Sequence, residues 1–350
     1  MRAPYRSAQR TTTLARNVLA TCRLEDGSTG YGESAPAPYV TGESHETVCA
    51  RALDLARLLR GRDVGEAAAL LAEQVYTSPG ACGALETALA DAAARAAGLP
   101  LFRFLAVGGS TGGGADAPAE RSTDLSLPLL SPPEAARRAA EARGFRALKI
   151  KVGGGDLGED IARVRAVAEA APAAALRLDG NQGLTPEQVV RLLDELAPLA
   201  GRIELLEQPT PAHDDASLAW VAVRVPVPVF ADEAVKTPED AARLIGSGAC
   251  AGVVLKLAKS GLSGAAAIAR TARAAGGRCL FGCMMETRVA VGAALHLALA
   301  LGADAVPFLD LDGHLLVDDR AVVSGGFSQA ADTLRVDPDA AGLGLRAAPA

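Results

Sequence analysis

Between about residue 125 and residue 312, eight short apolar runs alternate with helical stretches. The runs lie near 125–130 (LSLPLL), 147–152 (ALKIKV), 175–179 (ALRLD), 203–207 (IELLE), 229–232 (VFAD), 252–256 (GVVLK), 279–284 (CLFGCM) and 305–310 (AVPFLD), and their starts are 22 to 28 residues apart. Stretches such as PPEAARRAAEARG, DIARVRAVAEA and PEQVVRLLDELAPL fill the gaps. Parallel strands need a long crossover, usually a helix, so this rhythm predicts an α/β protein with a parallel sheet. Eight units are the number that closes a (β/α)8-type TIM barrel. A doubly wound open sheet is the competing fold. It usually has fewer units and a Gly-rich first turn, and Gly153-Gly154-Gly155 fits neither GxGxxG nor GK[ST]. That segment reads as a βα loop. Thr185-Pro186 and Thr237-Pro238 have the form of an N-cap followed by Pro at the first helical position, and Gly144 and Gly246 read as helix stops.

Residues 1–122 follow another pattern. NVLATCRLEDGSTGYGES reads as a hairpin around an Asp-Gly turn, and helices are predicted over 43–60, 65–76 and 80–97. Residues 108–122 (GGSTGGGADAPAERS) have linker composition. The expected organisation is an α+β domain over 1–122, a barrel over 123–320 and a C-terminal segment, 321–350, that packs back on the first domain. With 49% hydrophobic residues but only 3% aromatics, the core must be built from Ala, Leu and Val.

A net charge of −6 leaves no basic face for nucleic acid, so none is expected as a partner. The six cysteines lack zinc-site spacing and are expected as reduced thiols of a cytoplasmic protein. No signal peptide is apparent, and Val289 to Val306 reads as a buried helix leading into a strand, not a membrane span.

In a barrel, chemistry sits where strands end. Here the second strand ends in Lys149-Ile150-Lys151, the third in Asp179-Gly180-Asn181, the fourth in Glu207-Gln208, the fifth in Asp232-Glu233, the sixth in Lys256 and the eighth in Asp310-Leu311-Asp312. Strand alternation turns Lys149 and Lys151 to the same side, toward the axis. Asp179, Glu207 and Asp232 converge from adjacent strands, and three close carboxylates call for a cation. Oxygen ligands select Mg²⁺, with Mn²⁺ as the alternative. Lys151 and Lys256 stand roughly opposite each other around the ring. They would offer one ammonium to each face of a substrate α-carbon, and Lys149 and the metal should lower the base's pKa. Lys259 reads as a local contact, Asp160, Asp214 and Asp215 as surface or capping residues, and His296 as a core residue. His213 and His314 lack ligand spacing.

These motifs resemble the enolase superfamily, muconate-lactonising subgroup. KIK, DGNQG, ELLEQP, FADE and VVLKLAKSG occur in order, with 28 residues from Asp179 to Glu207, 25 on to Asp232 and 24 on to Lys256. The resemblance runs from GYGES (30–34) to DLDG (310–313). It implies the modified (β/α)7β barrel under an N-terminal α+β capping domain. It also implies Asp179, Glu207 and Asp232 as metal ligands, Lys151 and Lys256 as the acid/base pair, Lys149 as a substrate contact, and Asn181 and Glu233 as supports of the ligands.

Within the subgroup the chain looks most like dipeptide epimerases, in which a paired aspartate motif such as Asp310/Asp312 binds the dipeptide's ammonium. That implies inversion of the C-terminal residue's α-carbon through a metal-stabilised enediolate. Arg10 falls near the position of an arginine that binds an acidic side chain, with Arg6 and Arg16 as competitors. The cap loop 37–42 would close over the mouth, and a homo-oligomer is expected by analogy. Muconate-type cycloisomerisation, o-succinylbenzoate synthesis with N-acylamino-acid racemisation, a Schiff-base lyase and a non-catalytic binder are the alternatives. The first two groups of substrates lack the ammonium that Asp310/Asp312 would bind.

Overall fold

A computed structural model describes residues 1–107, 119–318 and 323–347. The eight apolar runs form strands β1 (Leu125–Leu127), β2 (Ala147–Lys151), β3 (Ala175–Asp179), β4 (Ile203–Glu207), β5 (Val229–Ala231), β6 (Gly252–Leu255), β7 (Arg278–Gly282) and β8 (Phe308–Asp310). They lie in one sheet in chain order, each parallel to the next. The backbone N–H of Asp124 donates to the Leu309 carbonyl at 3.2 Å, which bridges the first and last strands. The fold is the expected α/β barrel.

Alternation along the strands sorts the core into two parts. Leu148, Ile150, Leu176, Leu178, Leu206, Val253, Leu255 and Phe281 face outward and join the large cluster under the helices. Leu205, Phe230, Val254 and Leu280 face inward and form a separate apolar plug in the lumen, with Phe308 against it. The lumen's charged side chains sit on the same inward rows as this plug. Thr185 and Thr237 cap their helices with full capping boxes. Gly246 is still helical; the left-handed residue that ends its helix is Gly248 (φ 73°).

The N-terminal domain holds the expected hairpin, Val18–Arg23 against Thr29–Ser34, and helices His45–Leu59, Val64–Gln74 and Pro79–Ala96. GYGES supplies glycines because the hairpin backbone lies directly on the Pro79–Ala96 helix. A Cβ at Gly32 would come within 1.9 Å of the Ala84 carbonyl oxygen, and one at Gly30 within 2.2 Å of that of Ala88.

Most of the expected linker, 108–118, lies outside the described residues, as does the expected boundary at 320. Glu120–Ser122 is not linker. It is a strand paired antiparallel with Thr333–Val336, which pairs in turn with Phe327–Ala330. Farther on, the N–H of Leu343 donates to Asp91 at 2.6 Å, and Arg95 donates to the Leu345 carbonyl at 2.8 Å. The apolar stretch after residue 288 forms the buried helix Arg288–Leu301. Among the described residues, no helix is long and apolar enough to cross a membrane.

Candidate active site

The inward row of β2 places Lys149 and Lys151 in the lumen, 1% and 9% exposed. Lys149 touches three carboxylates: Asp310 at 2.7 Å, Glu207 at 2.8 Å and Asp179 at 3.0 Å. Lys151 donates to Asp179 Oδ2 at 2.5 Å, a contact that sheet register makes inevitable because the two residues are direct partners across β2 and β3. Across the lumen, Lys256 at the end of β6 donates to Asp232 Oδ2 at 2.6 Å. Lys259 reaches farther than expected of a local contact. Its ammonium bonds Asp232 Oδ1 and the Asp232 carbonyl, each at 2.6 Å, and the Val254 carbonyl at 2.9 Å.

The five residues from which metal and proton chemistry were expected therefore lie in one chamber, but cations and anions are unevenly matched there. Burial pushes Asp179 up, yet Lys149 and Lys151 outweigh it and hold the carboxyl at about 2. Asp232 is likewise held well down by Lys256 and Lys259 against burial. Glu207 goes the other way: burial, then Asp179, push it to about 8. Neither of its oxygens has a well-directed hydrogen bond, although the Lys149 ammonium lies 2.8 Å from Oε2. Glu233 is also raised, to about 7, by burial and then by Asp232 and Asp179.

Hard oxygen donors at the ends of three adjacent strands, the middle one a buried carboxylate with no directed hydrogen bond, fit a divalent cation. In the arrangement observed, lysine ammoniums contact all three carboxylates, and no group of three His, Cys, Asp or Glu among the described residues is set as a ready cage. Asn181 donates its N–H to Asp179 at 2.9 Å and its amide to Glu233 at 3.4 Å.

Before any cation binds, both lysines are held above the ordinary lysine range. Burial, the largest influence, pulls Lys151 down together with the charge of Lys149, but the Asp179, Tyr5 and Glu207 oxygens jointly outweigh them and the net shift is upward. Burial, the largest influence, also opposes the ammonium of Lys256, and Asp232, Glu207 and Glu233 together reverse the sign.

Asp310 and Asp312 are both buried. Ser126 on β1 holds them together, donating its hydroxyl to Asp310 Oδ1 at 3.1 Å and its N–H to Asp312 Oδ2 at 2.7 Å. Burial and then Asp310 push Asp312 to about 7. Lys149, Lys151, Lys256, Asp310, Asp312 and Arg10 line one cavity, roofed by the N-terminal domain. Arg10 is exposed at its mouth. Its guanidinium stacks over Tyr39 at 4.7 Å and donates to Thr12 Oγ1 at 3.0 Å.

Asp160 is corrected: it is 1% exposed, accepts from the Gly153 N–H at 2.8 Å and pairs with Arg163 at 2.5 Å. Asp214 caps its helix as expected, and His296 is buried, accepting from the Phe102 N–H at 3.1 Å.

Sequence reasoning missed Ser126, Tyr5 and Glu286, which no motif spacing singles out. Tyr5 lines the cavity. Glu286, in the GCMMET run, is buried and pushed to about 8 by burial and then Glu33.

Residues 133–350 match the family described as enolase C-terminal domain-like, and residues 1–106 match the mandelate racemase / muconate lactonizing enzyme N-terminal domain. An L-Lys-D/L-Arg epimerase of Methylococcus capsulatus is 37% identical over 98% of this chain and 94% of its own length. The substrate-liganded L-Ala-D/L-Glu epimerase of Bacillus subtilis superposes with a TM-score of 0.91 at 32% identity, covering 99% of this chain and 95% of that one. A dipeptide epimerase of Enterococcus faecalis, complexed with Mg and the dipeptide L-Leu-L-Tyr, gives 0.89 at 32% identity over 98% and 95%.

Proposed function

We infer the activity from one premise: this chain belongs to the mandelate racemase/muconate lactonizing enzyme family, and that membership makes it an isomerase of the racemase and epimerase type. The reading supported best is epimerisation of a dipeptide at the α-carbon of its C-terminal residue, by removal of the α-proton to one lysine and delivery of another proton from the lysine on the opposite side. The observation that carries it is the opposition of two lysines, Lys151 on β2 and Lys256 after β6, each seated on its own aspartate in one cavity. An amine on either side of a planar intermediate is what inversion requires.

Asp179, Glu207 and Asp232 would hold Mg²⁺. When bound, the ion supplies charge that neutralises these carboxylates, eases the lysines' hold on their protons and offsets the negative charge that develops at the substrate carboxylate. Lys151 takes or returns the proton on one face at Nζ, and Lys256 does so on the other. Lys149, held by three carboxylates, contributes fixed positive charge beside Lys151. Asn181 and Glu233 orient the ligand carboxylates. Asp310 and Asp312 present two acceptors at the end of β8 to the substrate's ammonium, a role that favours dipeptides over N-acyl amino acids. Arg10 at the mouth would pair with an acidic C-terminal side chain.

The test is incubation of the Mg²⁺-loaded protein with a library of L,L-dipeptides in D₂O, read by mass for a one-dalton gain. Exchange confined to dipeptides and lost on chelation supports the reading; turnover of N-acyl amino acids alone would replace it. Preference for Glu or Asp at the second position that disappears in Arg10→Ala would assign Arg10.

A further inference from the structure

The helix Leu257–Ala274 is two helices separated by a break. Gly261 stands between them with φ 62° and ψ −168°, a conformation that side-chain-bearing residues rarely adopt. The second helix therefore begins with orphaned N–H groups, and no residue of its own cap satisfies them. The partner comes from the other domain. Glu86, on the Pro79–Ala96 helix, accepts from the Leu262 N–H at 2.9 Å, from the Ser263 N–H at 3.3 Å and from the Ser263 hydroxyl. A carboxylate at a helix N-terminus is favoured by hydrogen bonding and by the helix dipole together. Glu86 fills the break so closely that a Cβ on Gly261 would lie 2.3 Å from its Oε2. One turn earlier on the same helix, Gly83 abuts the other end of the segment, where a Cβ would lie 3.2 Å from the Leu257 carbonyl oxygen and 3.3 Å from the Gly261 Cα.

Between these two contacts hangs the turn that carries Lys256 and Lys259. Lys256 lies beyond the last residue of β6, so no ladder bond of the sheet fixes it. Its carbonyl accepts from the Lys259 N–H at 3.0 Å and the Ser260 hydroxyl at 3.4 Å, which ties it to the turn. We propose that Glu86 is a positioning residue for Lys256: by capping the helix across the Gly261 break, the N-terminal domain fixes where one of the two lysines stands. The inference rests on the proposed two-lysine reaction. Burial pushes the Glu86 carboxyl to about 7 despite its three hydrogen bonds, in keeping with a group kept there for its contacts.

The test separates the two faces of the substrate. With the Mg²⁺-loaded enzyme in D₂O, wash-in of deuterium is measured separately from the L,L and L,D forms of a dipeptide that the enzyme turns over. Lys151→Ala and Lys256→Ala each identify which epimer their lysine serves. Glu86→Ala is expected to slow exchange of the Lys256 epimer by about ten- to a hundred-fold, as a displacement near 1 Å can do, with the Lys151 epimer within about two-fold of wild type. Glu86→Gln keeps the acceptor and should restore most of the rate, and Ser263→Ala should give a smaller loss on the same face.

A general loss of structure lowers both epimers together, so equal loss on both faces, or none on either, overturns the proposal. Should Glu86→Ala not fold, the Ser263→Ala ratio decides by the same criterion. If the lysine variants themselves show no preference for an epimer, the two-lysine reading falls, and this inference with it.

Discussion

The two sides of the chamber hold the same groups in different ways. On the β2 side, Lys149 and Lys151 meet Asp179; on the β6 side, Lys256 and Lys259 meet Asp232. The first pair stands two residues apart on a strand, and the paired register of β2 and β3 fixes its contact. The second pair stands three residues apart on a turn beyond the strand, and its geometry depends on a helix break clamped by another domain. One lysine is thus placed by the sheet and the other by the domain contact. Two lysines of one lumen can have unequal mechanical support.

Substitutions can break or sharpen this contrast. The largest effect should come from Lys151→Ala and Lys256→Ala. Each should lower epimerisation by about 10³-fold or more while leaving exchange from one epimer, measured by mass in D₂O. Gly261→Ala should come next. It combines a left-handed backbone with a clash against Glu86, so a loss of about 3–4 kcal/mol is expected in urea denaturation.

The third effect is on pH dependence. The Glu86 carboxyl sits at about 7 in the fold against an ordinary 4.5. Between those values only the folded protein holds the proton, so its contribution to stability falls as pH rises through this window and is constant on either side. The fall is about 3 kcal/mol. Wild type minus Glu86→Gln, measured by urea denaturation at pH 5 and pH 7.5, should show a difference of that sign. The smallest effect is Ser263→Ala, which should cost about 1 kcal/mol, as measured by thermal denaturation.

Much of this site was legible because its signals are local. Asp179, Glu207 and Asp232 announce themselves as charges at the ends of apolar runs, and strand alternation is enough to turn Lys149 and Lys151 inward. What stayed hidden depends on distant partners. Asp160 looks like a surface residue until Arg163 and the Gly153 N–H are folded around it. Glu120–Ser122 has linker composition but finds a strand partner in Thr333–Val336, more than two hundred residues away. Lys259 reaches Asp232 from the turn before Gly261, and the helix after that break is capped by Glu86 from another domain. The upward shift of Lys151 follows from a contact of 2.5 Å that spacing alone does not weigh against burial.

Asp91 has a consequence for synthesis. This carboxylate, 0% exposed in the Pro79–Ala96 helix, takes one donor from the Tyr31 N–H and another from the Leu343 N–H, 252 residues later in the chain. While the protein is being made, the first donor is available early, and the second leaves the ribosome only after the whole barrel has emerged. Arg95 also donates to Asp91 Oδ1 at 3.0 Å, so until Leu343 arrives that oxygen is held by Arg95 and water alone. The Leu343 contact of the N-terminal domain therefore cannot form while only that domain has been made. The stretch of translation between the two donors is a period in which a domain made before the barrel still lacks a contact that only the chain beyond the barrel supplies.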